Sequence, residues 1–197
     1  MEKPLVFQQD AATILFSVSI AVWVLFEFSM RIRQRSLLRG RAAHDPSAVV
    51  LAACLTASVV GAIQLGQHGP LLWPGGRVWP LVAGEVLIAA GIALRAWSIS
   101  ALGRFFQYRI EVQPEHYVVT GGPYRYVRHP SYTGVALVVI GIALAAGDVV
   151  SLAVALVLSA IGLAVRIRAE ERQLTEALGA QYERFAAHRK RLVPGVW

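Results

Sequence analysis

The stretch VALVVIGIALAAGDVVSLAVALVLSAIGLAV, residues 135–165, decides the architecture of this chain. As one helix rising 1.5 Å per residue it would run about 46 Å, well past the ~30 Å hydrocarbon layer of a bilayer. A run that overshoots must fold back. Its only break is Gly147-Asp148, a pair suited to a turn because glycine admits positive φ and aspartate can satisfy backbone donors. Two helices in a tight hairpin are therefore expected, over residues 131–146 and 149–166. The first limb reaches 16 residues only if it starts near Ser131, just after Pro130, which predicts a shortened or tilted span.

Three further apolar stretches precede the hairpin. Residues 11–28 are uncharged except for Glu27, residues 48–65 carry no charge, and residues 78–101 contain Glu85 and Arg95. Charges at that depth are expensive in lipid and are expected to face protein or a water-filled cavity. The whole chain is 56% hydrophobic and 16% charged, against about 25% charged in an ordinary soluble domain. The expectation is an all-α polytopic membrane protein, one domain over residues 1–197, with five transmembrane helices and a C-terminal amphipathic helix. Leu174, Leu178, Tyr182 and Phe185 form the apolar stripe of that last helix, to about His188, and read as a packing or interfacial surface. The acidic Glu2 and Asp10 before the first span, and Arg31, Arg33 and Arg35 after it, argue against a cleaved signal peptide. The single cysteine, Cys54, lies mid-span and reads as a small buried apolar residue without a disulfide partner.

Charge sets an expected orientation. Of 19 Lys and Arg, five follow the first span, four lie between residues 103 and 130, and seven run from Arg166 onward. Lys3 and Arg77 fall on the other side, and the Gly147-Asp148 turn has none. By the positive-inside rule the N-terminus is outside and the C-terminus cytoplasmic, in the inner membrane if the cell is bacterial. The net charge of +7 then reflects retention and contact with lipid headgroups, and no nucleic-acid partner is expected.

Two segments on the cytoplasmic side are dense in reactive groups. One is the loop of residues 111–132, where Gly121, Gly122 and Pro123 predict a turn and Ser131 is a candidate helix cap. Tyr124, Tyr126 and Tyr132 suit an interfacial aromatic belt. The other is the end of the fifth span, where Arg166 and Glu170 share a helix face and Glu170 and Glu171 read, in isolation, as members of i,i+4 pairs. The hairpin would bring both segments to one mouth, so that cationic, anionic and aromatic groups converge on a pocket.

In order along the chain, Gly122-Pro123-Tyr124, Arg128-His129-Pro130-Ser131-Tyr132, the hairpin, Glu170-Glu171, and then Leu174, Gly179 and Tyr182 form a combination that resembles the isoprenylcysteine carboxyl methyltransferase family. The resemblance covers about the C-terminal half, and the earlier spans add a compatible count. It implies an integral membrane methyltransferase using S-adenosylmethionine, held by regions of about residues 104–132 and 166–194. The implied contacts are His116, Tyr117, Val118, Val119, Tyr124, His129, Pro130, Ser131, Tyr132 and Glu170, with a substrate-side catalytic role for Arg166. The ligand carries an ammonium, a carboxylate and a sulfonium. Glu170 or Glu171 can pair with the first, His129 or Arg128 with the second, and tyrosines can attract the third.

A prenylcysteine-like carboxylate acceptor, with an ordinary pKa of about 3.5 to 4, is already ionised at neutral pH and needs no general base. Arg166 would only have to align it. A lipid amine or a small thiol would fit the same cofactor site. Remoter alternatives are a nicotinamide-dependent membrane reductase, whose relatives are expected to be longer, and a non-enzymatic scaffold. No metal is expected; the partners implied are membrane lipids and a lipophilic or prenylated substrate.

Overall fold

A computed structural model describes residues 4–37, 45–68, 71–74, 78–103 and 118–197. Its helices are α1 (Asp10–Leu37), α2 (Pro46–His68), α3 (Val78–Leu102), α4 (Pro130–Ala145), α5 (Val149–Leu178) and α6 (Ala180–Ala187), with single 3-10 turns at Leu5–Phe7 and Gly122–Arg125. The described residues hold no strand, only two isolated bridges. α1, α2, α3 and α5 are long and apolar enough to cross a membrane. The 16 residues of α4 rise only about 24 Å. That short helix is the most enclosed one, with Val138, Val139, Ile142 and Ala143 essentially inaccessible, as expected of a helix that is apolar all round. The chain is an all-α polytopic membrane protein.

The hairpin turns where the sequence predicts. Gly147 adopts φ 78°, and a Cβ there would lie 2.5 Å from the Pro4 side chain. The fully buried Asp148 caps α5 by accepting from the Ser151 amide at 2.9 Å, and its other oxygen accepts from the Leu71 amide at 3.2 Å. The turn is thus closed by its own cap and by the loop ahead of α3.

Packing of α3 on α4 rests on facing glycines that the hydropathy reading passed over. A Cβ on Gly84 would sit 2.5 Å from the Gly141 carbonyl oxygen, and one on Gly91 would sit 2.6 Å from that of Gly134. Such backbone approach is how helices associate in lipid, where apolar burial alone supplies little drive. The available signal was a pair of glycines seven apart on each helix.

Both charges within α3 face protein. Arg95, 4% exposed, donates to Glu27 of α1 through Nη2 at 2.8 Å and through Nε, and to the Ser131 hydroxyl at 2.7 Å. Glu85 accepts from the Ser19 hydroxyl at 2.5 Å.

Two local expectations need correction. Ser131 does not cap α4: the helix starts at Pro130, with His129 at the cap position, because proline at the first helical position presets φ and lacks the amide a cap would serve. Ser131 is already inside the helix, and its hydroxyl serves Arg95. The C-terminal amphipathic stripe is also not one continuous helix, since Gly179 at φ 49° ends α5 and starts α6 on a new course.

Candidate functional site

The start of α4 and the second half of α5 share one end of the bundle, where the chain's tail ties them together. Val127 bridges to Lys190, the Arg128 amide donates to the Lys190 carbonyl at 2.8 Å, and the His129 amide donates to that of Arg191 at 2.9 Å. The Thr133 hydroxyl adds a bond to the Leu192 carbonyl at 2.8 Å. Glu171 is the electrostatic centre of this clasp. It accepts from Arg128 Nη1 at 3.0 Å, from Arg191 Nε and Nη2 at 2.9 and 2.7 Å, and lies 3.3 Å from His129 Nε2. Arg128 also donates to the carbonyls of Arg189 and Ala186, each at 2.7 Å. All three of its nitrogens are engaged within the protein.

Glu170, one residue earlier, sits in a different setting. Its Oε2 accepts from the Tyr132 hydroxyl at 2.6 Å, and its Oε1 is 4.0 Å from His129 Nδ1. Its side chain is 27% exposed, against 12% for Glu171. The Tyr132 oxygen in turn accepts from Arg166 Nε at 3.0 Å. Arg166, 2% exposed, donates through Nη1 to Asp45 and to the Ser47 hydroxyl at 2.9 Å. The His129 and Tyr132 rings stack with centroids 5.7 Å apart. A row of polar groups thus runs from Asp45 through Arg166 and the Tyr132 phenol to Glu170 and His129.

An aromatic cluster flanks the row. Tyr124, Tyr182 and Phe185 are buried together, with Val118, Val119, Leu174 and Leu178 packed against them. Burial, reinforced by the Glu171 and Glu170 charges, pushes the Tyr182 phenol well above its ordinary range. Burial does the same to Tyr124, with Glu170 adding to it. Both remain neutral. The Tyr182 hydroxyl is buried, and among the described residues nothing accepts from or donates to it.

Most of the candidate site residues meet here, though in three groups. Val118, Val119 and Tyr124 belong to the aromatic cluster; Arg166, Tyr132, Glu170 and His129 form the row; Arg128 and Glu171 form the clasp. Pro130 is buried at the start of α4, while Ser131 is turned to Arg95, which bonds both its hydroxyl and its carbonyl. His116 and Tyr117 lie outside the described residues. The aromatic-belt reading holds for neither Tyr124, which is packed inside, nor Tyr132, which is bonded on both sides; Tyr126 alone is 49% exposed. Tertiary contacts, absent from any hydropathy plot, withdrew the other two from the interface. The hydrogen-bond partners of the two glutamates lie on α4, the preceding loop and the tail, while the i,i+4 neighbour Arg166 still feels the charge of Glu170 along α5. The sequence reading missed Asp45 and Ser47. Asp45-Pro46-Ser47 carries a helix-start signal, but nothing in it announces the pairing with α5.

Residues 84–176 match the isoprenylcysteine carboxyl methyltransferase (ICMT) family. Over 146 residues the chain is 26% identical to the uncharacterized protein YpbQ of Bacillus subtilis, covering 74% of this chain and 83% of that protein. It is 33% identical over 120 residues to protein-S-isoprenylcysteine O-methyltransferase A of Arabidopsis thaliana, 59% of this chain and 61% of the relative. With protein-S-isoprenylcysteine O-methyltransferase of Schizosaccharomyces pombe it shares 33% over 112 residues, 55% of this chain and 46% of the relative. The alignments thus span less than two thirds of these two named methyltransferases.

Proposed function

We propose that this chain, which belongs to the isoprenylcysteine carboxyl methyltransferase family, is an integral membrane enzyme that transfers the methyl group of S-adenosylmethionine to the carboxylate of a lipophilic, prenylcysteine-like acceptor. The observation that carries this reading is the meeting of Arg166 and Glu170 on one phenol. A cation and an anion flank the Tyr132 hydroxyl at 3.0 and 2.6 Å, which sets a charge suited to an anionic acceptor beside one suited to a cationic ligand.

The residues fit the methyl donor. Glu170 has a hydroxyl for one partner and a partly open flank, which suits an ammonium; the buried Tyr182 hydroxyl lacks a partner among the described residues. Tyr124, Val118 and Val119 supply an apolar slot for adenine. Arg128 and Glu171 are spent on the tail, which leaves Glu170 rather than Glu171 for the ammonium and His129 rather than Arg128 for the carboxylate. When bound, the donor supplies a methyl group on a sulfonium. An acceptor carboxylate ionised at neutral pH is already a nucleophile, so the protein's work is alignment by Arg166 and exclusion of water by the surrounding helices. In the orientation we infer, the N-terminus is outside and this mouth opens to the cytoplasm, supported by the bias of Lys and Arg to that side. A lipophilic acceptor tail can then stay in the bilayer.

Calorimetry on detergent-solubilised protein should show binding of S-adenosylhomocysteine and not of a reduced nicotinamide, and radiolabelled donor should methylate a farnesylated cysteine analogue. Nicotinamide binding alone would overturn the reading, and label appearing only on a lipid amine or thiol would replace the acceptor. Arg166→Ala should cut turnover far more than S-adenosylhomocysteine affinity; an equal loss in both removes its acceptor-side role.

A further inference from the structure

Asp45 stands ahead of α2, outside the segment that matches the family, yet it reaches the row of polar groups. Its carboxylate is divided between two tasks. Oδ1 caps α2, accepting from the Ser47 amide at 3.1 Å, the Ala48 amide at 3.3 Å and the Ser47 hydroxyl at 2.6 Å. Oδ2 accepts from Arg166 Nη1, and the same nitrogen donates to the Ser47 hydroxyl at 2.9 Å. On the other side of the guanidinium, Nε is fixed by Tyr132 at 3.0 Å. A guanidinium is planar and rigid, so two anchors at separate nitrogens define both its place and its plane.

We infer that Asp45 is a positioning residue for methyl transfer: it uses the capped start of α2 to set the plane of Arg166, and so the alignment of the acceptor carboxylate. The inference rests on the function proposed above. A helix cap is a rigid mount, because the oxygen that binds the α2 amides cannot swing with the arginine. The carboxylate is also ionised where it needs to be. Burial pushes Asp45 up, but hydrogen bonds from Ser47 and Arg166 outweigh it and hold the group below the ordinary carboxylate range. A purely structural cap would not require the second oxygen to face a buried arginine on another helix.

The two tasks separate by substitution. Asparagine caps helices as well as aspartate does, whereas alanine does not. In Asp45→Asn the amide oxygen stays on the α2 amides, and its NH2 then meets Nη1, donor against donor. Arg166 loses its carboxylate anchor and keeps Tyr132, while α2 keeps its cap. The expected result is a fall in kcat/KM for the farnesylated cysteine analogue of about tenfold or more, since small misplacements cost that much. S-adenosylhomocysteine affinity should stay within about twofold, and the thermal midpoint should stay close to wild type and above that of Asp45→Ala. Ser47→Ala, which keeps the aspartate, serves as the milder second variant, with a smaller loss of the same acceptor-selective kind. Wild-type kcat/KM in Asp45→Asn overturns the inference, as does a parallel loss of cofactor affinity in both variants. If wild-type protein transfers no methyl group at all, the proposed function itself fails and takes this inference with it; an active wild type with an equally active Asp45→Asn sinks only the role of Asp45.

Discussion

Glu170 and Glu171 are adjacent on α5 and chemically identical, yet the fold gives them opposite settings. Glu171 is met by Arg128, Arg191 and the His129 ring, so its acceptor capacity is used up in joining the loop before α4 to the tail. Glu170 has the Tyr132 hydroxyl at 2.6 Å, a histidine at 4.0 Å and a side chain more than twice as exposed. A carboxylate surrounded by cations is a pin. One bonded to a single hydroxyl and partly exposed keeps acceptor lone pairs for a further donor.

That contrast can be broken from either side. The largest effect on stability is expected for Glu171→Ala, which leaves two arginines without their carboxylate. The loss should be about 2–4 kcal/mol, somewhat under the figure for a fully buried pair because Arg191 is 35% exposed. Thermal denaturation in detergent measures it. Glu170→Gln should do the reverse, raising the Kd for S-adenosylhomocysteine about tenfold, or about 1.4 kcal/mol, while moving the thermal midpoint little. If the two variants exchange these profiles, the division between pin and ligand seat is wrong. The smallest effect belongs to Tyr182→Phe. Removing a buried hydroxyl that lacks a partner among the described residues should leave the free protein unchanged or up to about 1 kcal/mol more stable. If that hydroxyl meets the cofactor, calorimetry will show a severalfold weaker S-adenosylhomocysteine affinity, whereas unchanged affinity places it outside the binding site.

Much of the fold was legible because hydropathy and turn chemistry act locally. The overshoot of residues 135–165 demanded a reversal, and the reversal falls at Gly147-Asp148 for the reasons those residue types supply. The charges of Arg95 and Glu85 foretold protein neighbours, but not that both would reach α1. The loop and helix segments of the site could be paired in outline through the hairpin. What stayed hidden was the division of labour inside that site. Arg128 and His129 look equally able to hold a carboxylate until Arg128 is seen to donate to Glu171, Ala186 and Arg189. Tyr124 and Tyr132 looked interfacial until their packing and bonding partners were in view.

By itself, then, the sequence determined the membrane-embedded helices, the place of the hairpin and the family resemblance of residues 84–176, since each depends on composition or on order along a short stretch. Only the tertiary structure decided which of two neighbouring glutamates is engaged by cations, which glycines let α3 and α4 touch, and that Asp45 reaches Arg166 across 121 positions. Those outcomes depend on the direction of each side chain and on residues far away in the chain, and an ion pair or a close backbone contact exists only once both partners have been brought within a few ångströms.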